Sequence, residues 1–330
     1  MKAAKRNLLL ALLCIALVSG AEAIDVGRYP VIQELIEDLS TQHGYPREEI
    51  ASLFARVQLL PSVVDAIQKP YEALPWHRYR KLFLTDDHIN NGVEFWKLNA
   101  ATLARAEQKF GIPPHIIVAI IGVETRFGKR LGKHPVLDSL TTLVIQYPRR
   151  RTFFRRELEQ FLLLTREEGL DPLKIKGSYA GAIGVPQFIS SSYRQYAVDF
   201  NGDNRRDLIG QTEDAIGSVA NYLYRHRWQS GQPIVSKATV EQVKRPERFV
   251  SEKLKPNSTL ARLKKAGVGA PISLNGASRA SLLRLDGANR AEYRIAFDNF
   301  YVITKYNRSI HYAMAVFELS EEIRKKQATG

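Results

Sequence analysis

The feature that most constrains the fold is an apolar run near the middle of the chain, IIVAIIGV at residues 116–123. Pro113 and Pro114 precede it, and proline is tolerated in the first turn of a helix. A helix that is apolar on all sides must be buried on all sides, so the run predicts a helix in the core. One acid, Glu124, directly follows the run.

The position of Glu124 allows two interpretations. Ile120 and Ile121 lie one helical turn before it, so its face of the helix is apolar. A desolvated carboxylate near the negative end of a helix dipole tends towards its protonated form. Such a group is suited to general-acid catalysis. In the alternative interpretation, Glu124 pairs with Arg126 or Lys129 on a solvated last turn.

The N-terminus predicts export. Residues 1–23 have a basic start, an apolar stretch from Leu8 to Val18 and an A-x-A cleavage pattern at residues 21–23, as a signal peptide requires. The stretch is short for a membrane span. We therefore expect a periplasmic protein whose mature chain has no transmembrane segment.

Cys14, the single cysteine, lies inside this stretch. Leucines precede it where a lipoprotein signal has small residues, so we expect no lipid anchor. The predicted mature chain lacks cysteine, which excludes disulfides and a thiol nucleophile. The sequence contains no P-loop, G-x-S-x-G, H-E-x-x-H or dinucleotide-binding pattern, and we expect no organic cofactor.

The formal net charge of +14 favours polyanionic partners. For an exported protein these are a cell wall that carries carboxylates and phosphates, or anionic lipid, rather than nucleic acid. In the alternative, the charge serves solubility only.

The chain divides by periodicity into three parts after the signal. Residues 24–231 place apolar side chains at helical spacing. Residues 232–303 contain short β-prone pieces separated by turn residues, which indicate a small β-rich insertion. Residues 304–330 return to a helical period, and we expect this helix to pack back on the first part.

A glycine-containing stretch, GSYAGAIGVPQFISSSYRQYAVDF, occupies residues 177–200. Its glycines allow a ligand or another backbone to approach closely. Ser178 and Gln187 offer the neutral hydrogen bonds that sugar recognition needs. Pro186 predicts the start of an amphipathic helix. Alternatively, the glycines form an ordinary turn before a helix.

An acidic loop follows, DFNGDNRRDLIG at residues 199–210. Oxygen donors at its first, third, fifth and ninth positions, with one backbone carbonyl, match the spacing of a calcium loop. The twelfth position is Gly210, so Glu213 or Asp214 would have to supply the missing carboxylate. The alternative is a surface turn rich in Asp and Asn. The predicted calcium ligands are Asp199, Asn201, Asp203, Arg205 and Asp207.

These stretches occur in a fixed order: the helix that ends GVETRFG, then PRR, the glycine-containing stretch with its NGD loop, and a late KYNRS. Together they resemble the lytic murein transglycosylase B family over essentially the whole predicted mature chain. The resemblance implies a mainly α fold with a goose-type lysozyme-like core, a further helical domain and a small β-rich domain.

The resemblance also implies a substrate, the glycan strands of peptidoglycan, and a catalytic acid/base, Glu124. Other cell-wall enzymes are expected partners. The implied substrate-binding residues are Ser178, Gln187, Tyr79, Arg149, Arg150, Tyr222, Tyr306 and Asn307.

A single carboxylate at the site favours one reaction. Most glycosidases need two carboxylates. One is enough when the N-acetyl group of N-acetylmuramic acid attacks its own C1 and the C6 hydroxyl then closes a 1,6-anhydro ring. The rival hypotheses are a hydrolase similar to goose-type lysozyme and a non-catalytic peptidoglycan-binding or scaffolding protein.

Overall fold

Fourteen α-helices and six strands lie within residues 24–68, 73–271, 276 and 278–329, the part of the chain that the computed structural model describes. The predicted signal peptide lies outside these residues. The helices are α1 (Pro30–His43), α2 (Arg47–Phe54), α3 (Pro61–Ile67), α4 (Trp76–Tyr79), α5 (Asp86–Leu98), α6 (Ala100–Phe110), α7 (Pro114–Thr125), α8 (Val136–Gln146), α9 (Arg151–Glu167), α10 (Ser190–Tyr196), α11 (Thr212–Arg225), α12 (Leu260–Lys265), α13 (Asp298–Tyr306) and α14 (Ile310–Thr329).

The strands form two antiparallel sheets. They are β1 (His134–Pro135), β2 (Lys176–Gly177), β3 (Val235–Lys237), β4 (Ser258–Thr259), β5 (Arg279–Asp286) and β6 (Ala291–Ala296). β1 pairs with β2, and the other sheet has the order β3-β6-β5-β4. Its central hairpin aligns Leu282 with Ile295, and both belong to a small apolar core of this β-rich part.

The apolar run forms the predicted central helix, α7. Every residue from Ile116 to Ile121 is 0% exposed. Helices α5, α6, α11 and α14 pack around it. Helices α5, α6 and α11 are amphipathic, whereas α7 can be enclosed because its run carries no polar side chain.

Two predicted boundaries differ from the structure. The helix expected from Pro186 begins at Ser190 as α10, because Gln187 adopts a left-handed backbone (φ 49°) and Ile183 bridges to Phe188. The C-terminal helical part begins at Asp298, before the predicted residue 304, because Phe300 and other residues of α13 belong to the main core.

Among the described residues, every helix is either too short or too polar to span a bilayer.

Candidate active site

Helix α7 ends directly behind Glu124. Arg126 (φ 50°), Phe127 (φ 61°) and Gly128 (φ 82°) all take left-handed conformations. Such a backbone is unfavourable for residues other than glycine, at about 1 kcal/mol or more each. The Phe127 ring stabilises this turn by packing directly against the backbone of Gly122. A side chain at position 122 would not fit, since its Cβ would lie 2.7 Å from the ring. The turn therefore fixes the end of α7 and the position of Glu124.

Tyr312 of α14 donates a hydrogen bond to Glu124 Oε1 at 2.5 Å. Glu124 is half-buried, and Tyr312 is buried. Burial raises the pKa of Tyr312 well above its usual value, and the Glu124 charge adds to this. Tyr312 therefore stays protonated and remains a donor to the carboxylate. Lys129, a partner in the alternative interpretation of Glu124, instead donates to Asn91 Oδ1 at 2.8 Å.

A row of tyrosines, called here the aromatic wall, runs from the acid to α11. The ring of Tyr312 stacks on Tyr306 (centroids 6.4 Å apart), and Tyr306 lies against Tyr222 (4.9 Å). Tyr306 donates to Pro186 O at 2.6 Å, and Tyr222 donates to Lys305 O at 2.7 Å. Two of the predicted cleft tyrosines thus join one wall with Glu124.

The segment 177–188, called here the serine loop, is attached to the end of α7. Thr125 Oγ1 donates to Val185 O at 2.9 Å. Within the loop, Ser178 Oγ accepts from the amides of Ala180 (3.2 Å) and Ala182 (3.0 Å). A hydroxyl that accepts two bonds keeps its O–H donor. Ser178 can therefore donate to a carbonyl group of a ligand.

Gln187 braces the serine loop. Its Nε2 donates to Leu131 O at 3.1 Å and to Gly184 O at 2.9 Å. The amide of this predicted cleft residue is thus used inside the protein. Asn307 follows α13 as its C-terminal cap and is half-buried next to Tyr306.

Tyr79 lies deeper than a cleft residue would. Only 2% of it is exposed, and its ring packs against Phe83 (5.3 Å) and His311 (5.7 Å).

Arg149 and Arg150 lie on a 3-10 turn, Pro148–Arg150, before α9. The Arg150 guanidinium stacks over Phe153 at 4.2 Å and Phe154 at 5.3 Å. Both arginines are exposed, so this pair presents positive charge on the surface of α9.

The acidic loop brings three carboxylates together. Oxygens of Asp199, Asp203 and Asp214 lie within 4.8 Å of one another. Asp214 is 0% exposed and accepts from the amides of Phe200 (2.7 Å) and Asp207 (2.9 Å). Burial raises its pKa. The first turn of α11 thus places a buried acid beside the loop, whose twelfth position is Gly210.

Two further acids near this loop lie outside the cluster. Asp207, a predicted ligand, turns its Oδ1 to the amides of Ile209 and Gly210, both at 2.9 Å. Glu213, the alternative twelfth ligand, pairs with Arg105 at 2.8 Å. Asn201 remains beside the cluster and donates to Asp203 Oδ2 at 3.0 Å.

Sequence reasoning missed Tyr312. Its segment, SIHYAMAVF, reads as a core helix, and a tyrosine there is usually a packing residue. The available signal was the phenol itself, because a buried tyrosine hydroxyl almost always finds a partner. Nothing in the sequence indicates that the partner is Glu124, which lies 188 positions away.

The fold and this site define a class of enzyme with a lysozyme-like helical core. The family model of the transglycosylase SLT domain matches residues 28–321, and the chain belongs to this family. It is 42% identical over 309 residues to the membrane-bound lytic murein transglycosylase B of Escherichia coli K12, covering 91% of this chain and 84% of the relative.

Solved structures agree with this assignment. Slt35 of E. coli in complex with calcium superposes with a TM-score of 0.84 at 41% identity, covering 92% of this chain and 96% of that one. SltB3 of Pseudomonas aeruginosa, in complex with NAG-anhNAM-pentapeptide, has a TM-score of 0.79 at 29% identity, covering 88% and 78%. The predicted lysozyme-like fold is confirmed, and the chain is a peptidoglycan-cleaving lytic transglycosylase.

Proposed function

We propose that this enzyme cleaves the bond between N-acetylmuramic acid and N-acetylglucosamine without water, with Glu124 acting first as acid and then as base. The observation that supports this most is the hydrogen bond from Tyr312 to Glu124 Oε1. A carboxyl group keeps an accepting oxygen whether or not it is protonated. Tyr312 can therefore hold Glu124 in one orientation through both proton transfers.

The reaction proceeds in two steps. Glu124 protonates the glycosidic oxygen while the N-acetyl carbonyl oxygen of the muramic acid attacks its own C1, and the bond to the leaving sugar breaks. The Glu124 carboxylate then takes the proton of the C6 hydroxyl, whose oxygen displaces the acetamido oxygen from C1. The product ends in a 1,6-anhydro ring, and Glu124 regains its proton.

The neutral residues of the site orient the substrate. Ser178 lies in the loop that Thr125 joins to the end of α7, and its O–H can donate to the N-acetyl group. In the aromatic wall the half-buried Tyr306 offers an apolar face for a sugar ring, and Tyr222, which is only 7% exposed, supports it from behind. Correct positioning of a reacting group contributes several kcal/mol, roughly 7–11 in favourable cases.

The test is Glu124→Gln, which keeps the size of the side chain and removes the acid. We expect loss of cleavage by at least about a thousandfold, since both proton transfers are lost, with an unchanged circular dichroism spectrum. Mass spectrometry of wild-type digests should show 1,6-anhydromuramic ends. Reducing ends would instead establish a hydrolase, and a wild-type protein that binds sacculi without releasing muropeptides would establish a scaffold.

We further propose that the acidic loop binds calcium. The clustered carboxylates suit a hard cation that prefers oxygen ligands, and the related Slt35 structure contains calcium. Asp199, Asp203 and Asp214 would hold the ion, with Asn201 and the Arg205 carbonyl beside them. The ion would offset the repulsion between these acids and stabilise the loop.

Calcium should raise the melting temperature of the wild-type protein, and EDTA should reverse the rise. Asp214→Asn should abolish both the rise and calorimetric calcium binding. The matched control is Glu213→Gln, which removes the neighbouring acid that pairs with Arg105 and should bind calcium normally. Equal calcium responses of the wild type and Asp214→Asn would refute the site.

The predicted signal peptide places this activity in the periplasm, where peptidoglycan is accessible. Fractionation of cells that express the full chain tests the location, and a cytoplasmic mature enzyme would contradict it.

A further inference from the structure

A groove with a volume of about 500 Å³, called here the basic groove, lies between the β-rich part and α13. Its lining contains four cationic side chains but only one acidic side chain. The lining residues are Glu252, Lys253, Leu254, Lys255, Tyr301, Thr304, Lys305 and Arg308.

The positive charges of the groove converge on one phenol. Lys305 Nζ lies 4.5 Å from the centroid of the Tyr301 ring. A hydrogen bond from Lys305, together with the charges of Lys305, Lys255 and Arg308, lowers the pKa of Tyr301. Three cations from two segments of the chain thus act on the same side chain of the groove.

The dipole of α13 explains the presence of only one of these cations. Lys305 lies in the last turn of α13, where a cation is favourable. Lys253 and Lys255, however, come from the coil before β4, and their approach adds like-charge repulsion. An anion in the groove would relieve that repulsion.

The groove adjoins the aromatic wall. Lys305, which lines the groove, accepts the hydrogen bond of Tyr222 through its carbonyl. The next residue, Tyr306, stacks on Tyr312 in the wall. One turn of α13 therefore connects the wall beside Glu124 to the basic groove.

We propose that the basic groove binds carboxylates of the stem peptide on a glycan strand whose sugars lie along the aromatic wall. The proposal rests on the proposed function, which places glycan at that wall. A stem peptide carries several free carboxylates on short aliphatic side chains. The ammonium groups match the carboxylates, and Leu254 with the Tyr301 ring provides apolar contact for the aliphatic parts.

The test compares two substrates. One is a preparation of uncrosslinked glycan strands that carry stem peptides. The other is the same preparation after an amidase has removed the peptides, which leaves only the lactyl carboxylate on each muramic acid. For Lys253→Gln/Lys255→Gln we expect KM on the peptide-bearing strands to rise roughly fivefold. On stripped strands KM should change less than about twofold.

The control is Lys264→Gln/Lys265→Gln, which removes the same charge from α12 of the β-rich part, where both lysines are exposed. Its KM should match the wild type on both substrates. The proposal is overturned if KM of Lys253→Gln/Lys255→Gln is unchanged or rises equally on both substrates. It is also overturned if KM of the control rises as much. Reducing-end products from the wild type would reject the proposed reaction but would leave this comparison of KM valid.

Discussion

At the scale of single residues, the site depends on a tyrosine and an acid far apart in sequence. Glu124 ends a helix that is otherwise apolar, and Tyr312 is a buried phenol on α14. The raised pKa of Tyr312 keeps its phenol protonated, so that it donates to the acid. In the proposed reaction Tyr312 is thus a positioning residue, distinct from Glu124, the acid that reacts.

Tyr312→Phe should lower kcat about 10- to 100-fold, since a hydrogen bond to a charged group contributes roughly 1.5–3 kcal/mol. The lost donor favoured the charged form of Glu124, so the alkaline limb of the pH–rate profile should move to higher pH. Muropeptide release measured against pH checks both effects.

The control for this change is Tyr293→Phe, which removes another tyrosine–glutamate hydrogen bond, at 3.2 Å to Glu247 in the β-rich part. It should leave kcat and the pH profile unchanged. A Tyr312→Phe enzyme with a normal pH profile and a lower melting temperature would show that Tyr312 serves packing alone.

At the scale of elements, the serine loop and the acidic loop are fitted against each other. Val185 N donates to Leu208 O at 2.8 Å, and Gly184 (φ 73°) lies so close that a Cβ would be 2.3 Å from the same carbonyl oxygen. Only glycine allows this contact, which connects the serine loop to the acidic loop.

Gly184→Ala should therefore lower stability by more than conformational strain alone. Gly169→Ala is the matched control, since Gly169 is also left-handed (φ 63°) but has nothing within 4 Å of its Cβ position. We expect the free energy of unfolding to fall by about 1 kcal/mol in the control. In Gly184→Ala it should fall by at least about 3 kcal/mol, because the backbone at Leu208 must move. Urea unfolding measures both. Equal losses would show that the loops are not tightly fitted.

Sequence patterns predicted the elements better than they predicted their ends. The apolar run identified α7 because its composition admits no exposed face. The start of α10 was predicted wrongly, because Pro186 signals a helix but Gln187 takes a left-handed turn. The contact of Tyr312 with Glu124 has no local signature and needed the structure. For the acidic loop the sequence named Glu213 and Asp214 as candidates, and the structure places Asp214 in the cluster and pairs Glu213 with Arg105.

At the scale of the whole molecule, two apolar cores hold the chain together, one in the helical body and a smaller one in the β-rich part. The helical body also contains two histidines, His88 and His115, whose pKa values burial lowers strongly. Burial, with repulsion from Arg126, lowers the pKa of His88 to about 4, and burial does the same for His115. His88 lies between the rings of Phe83 and Phe127.

These histidines should make the protein sensitive to mild acid. As pH falls, the histidines of the unfolded chain bind protons near pH 6.5, whereas those of the folded protein bind them only near pH 4. The stability of the folded protein is therefore fully present above pH 6.5 and is lost as pH falls towards about 4. Each ring should contribute a loss of about 3 kcal/mol over this window. Urea unfolding at several pH values measures the loss.

His88→Phe should reduce the loss between pH 6.5 and 4 by about 3 kcal/mol, while the ring still packs against Phe83 and Phe127. His77→Gln, a change at a partly exposed histidine on α4, serves as the control and should keep the wild-type dependence. If His88→Phe is as acid-sensitive as the wild type, the buried ring is not the cause.

Helix α11 connects the acidic loop to the aromatic wall. Asp214, in its first turn, fixes the acidic loop, and Tyr222, two turns later, forms part of the aromatic wall. At 1.5 Å per residue the two lie about 12 Å apart along one rigid rod. The acidic loop and the aromatic wall are thus attached to the same helix, so a movement of α11 along its axis that shifts the acidic loop also shifts Tyr222 by the same distance.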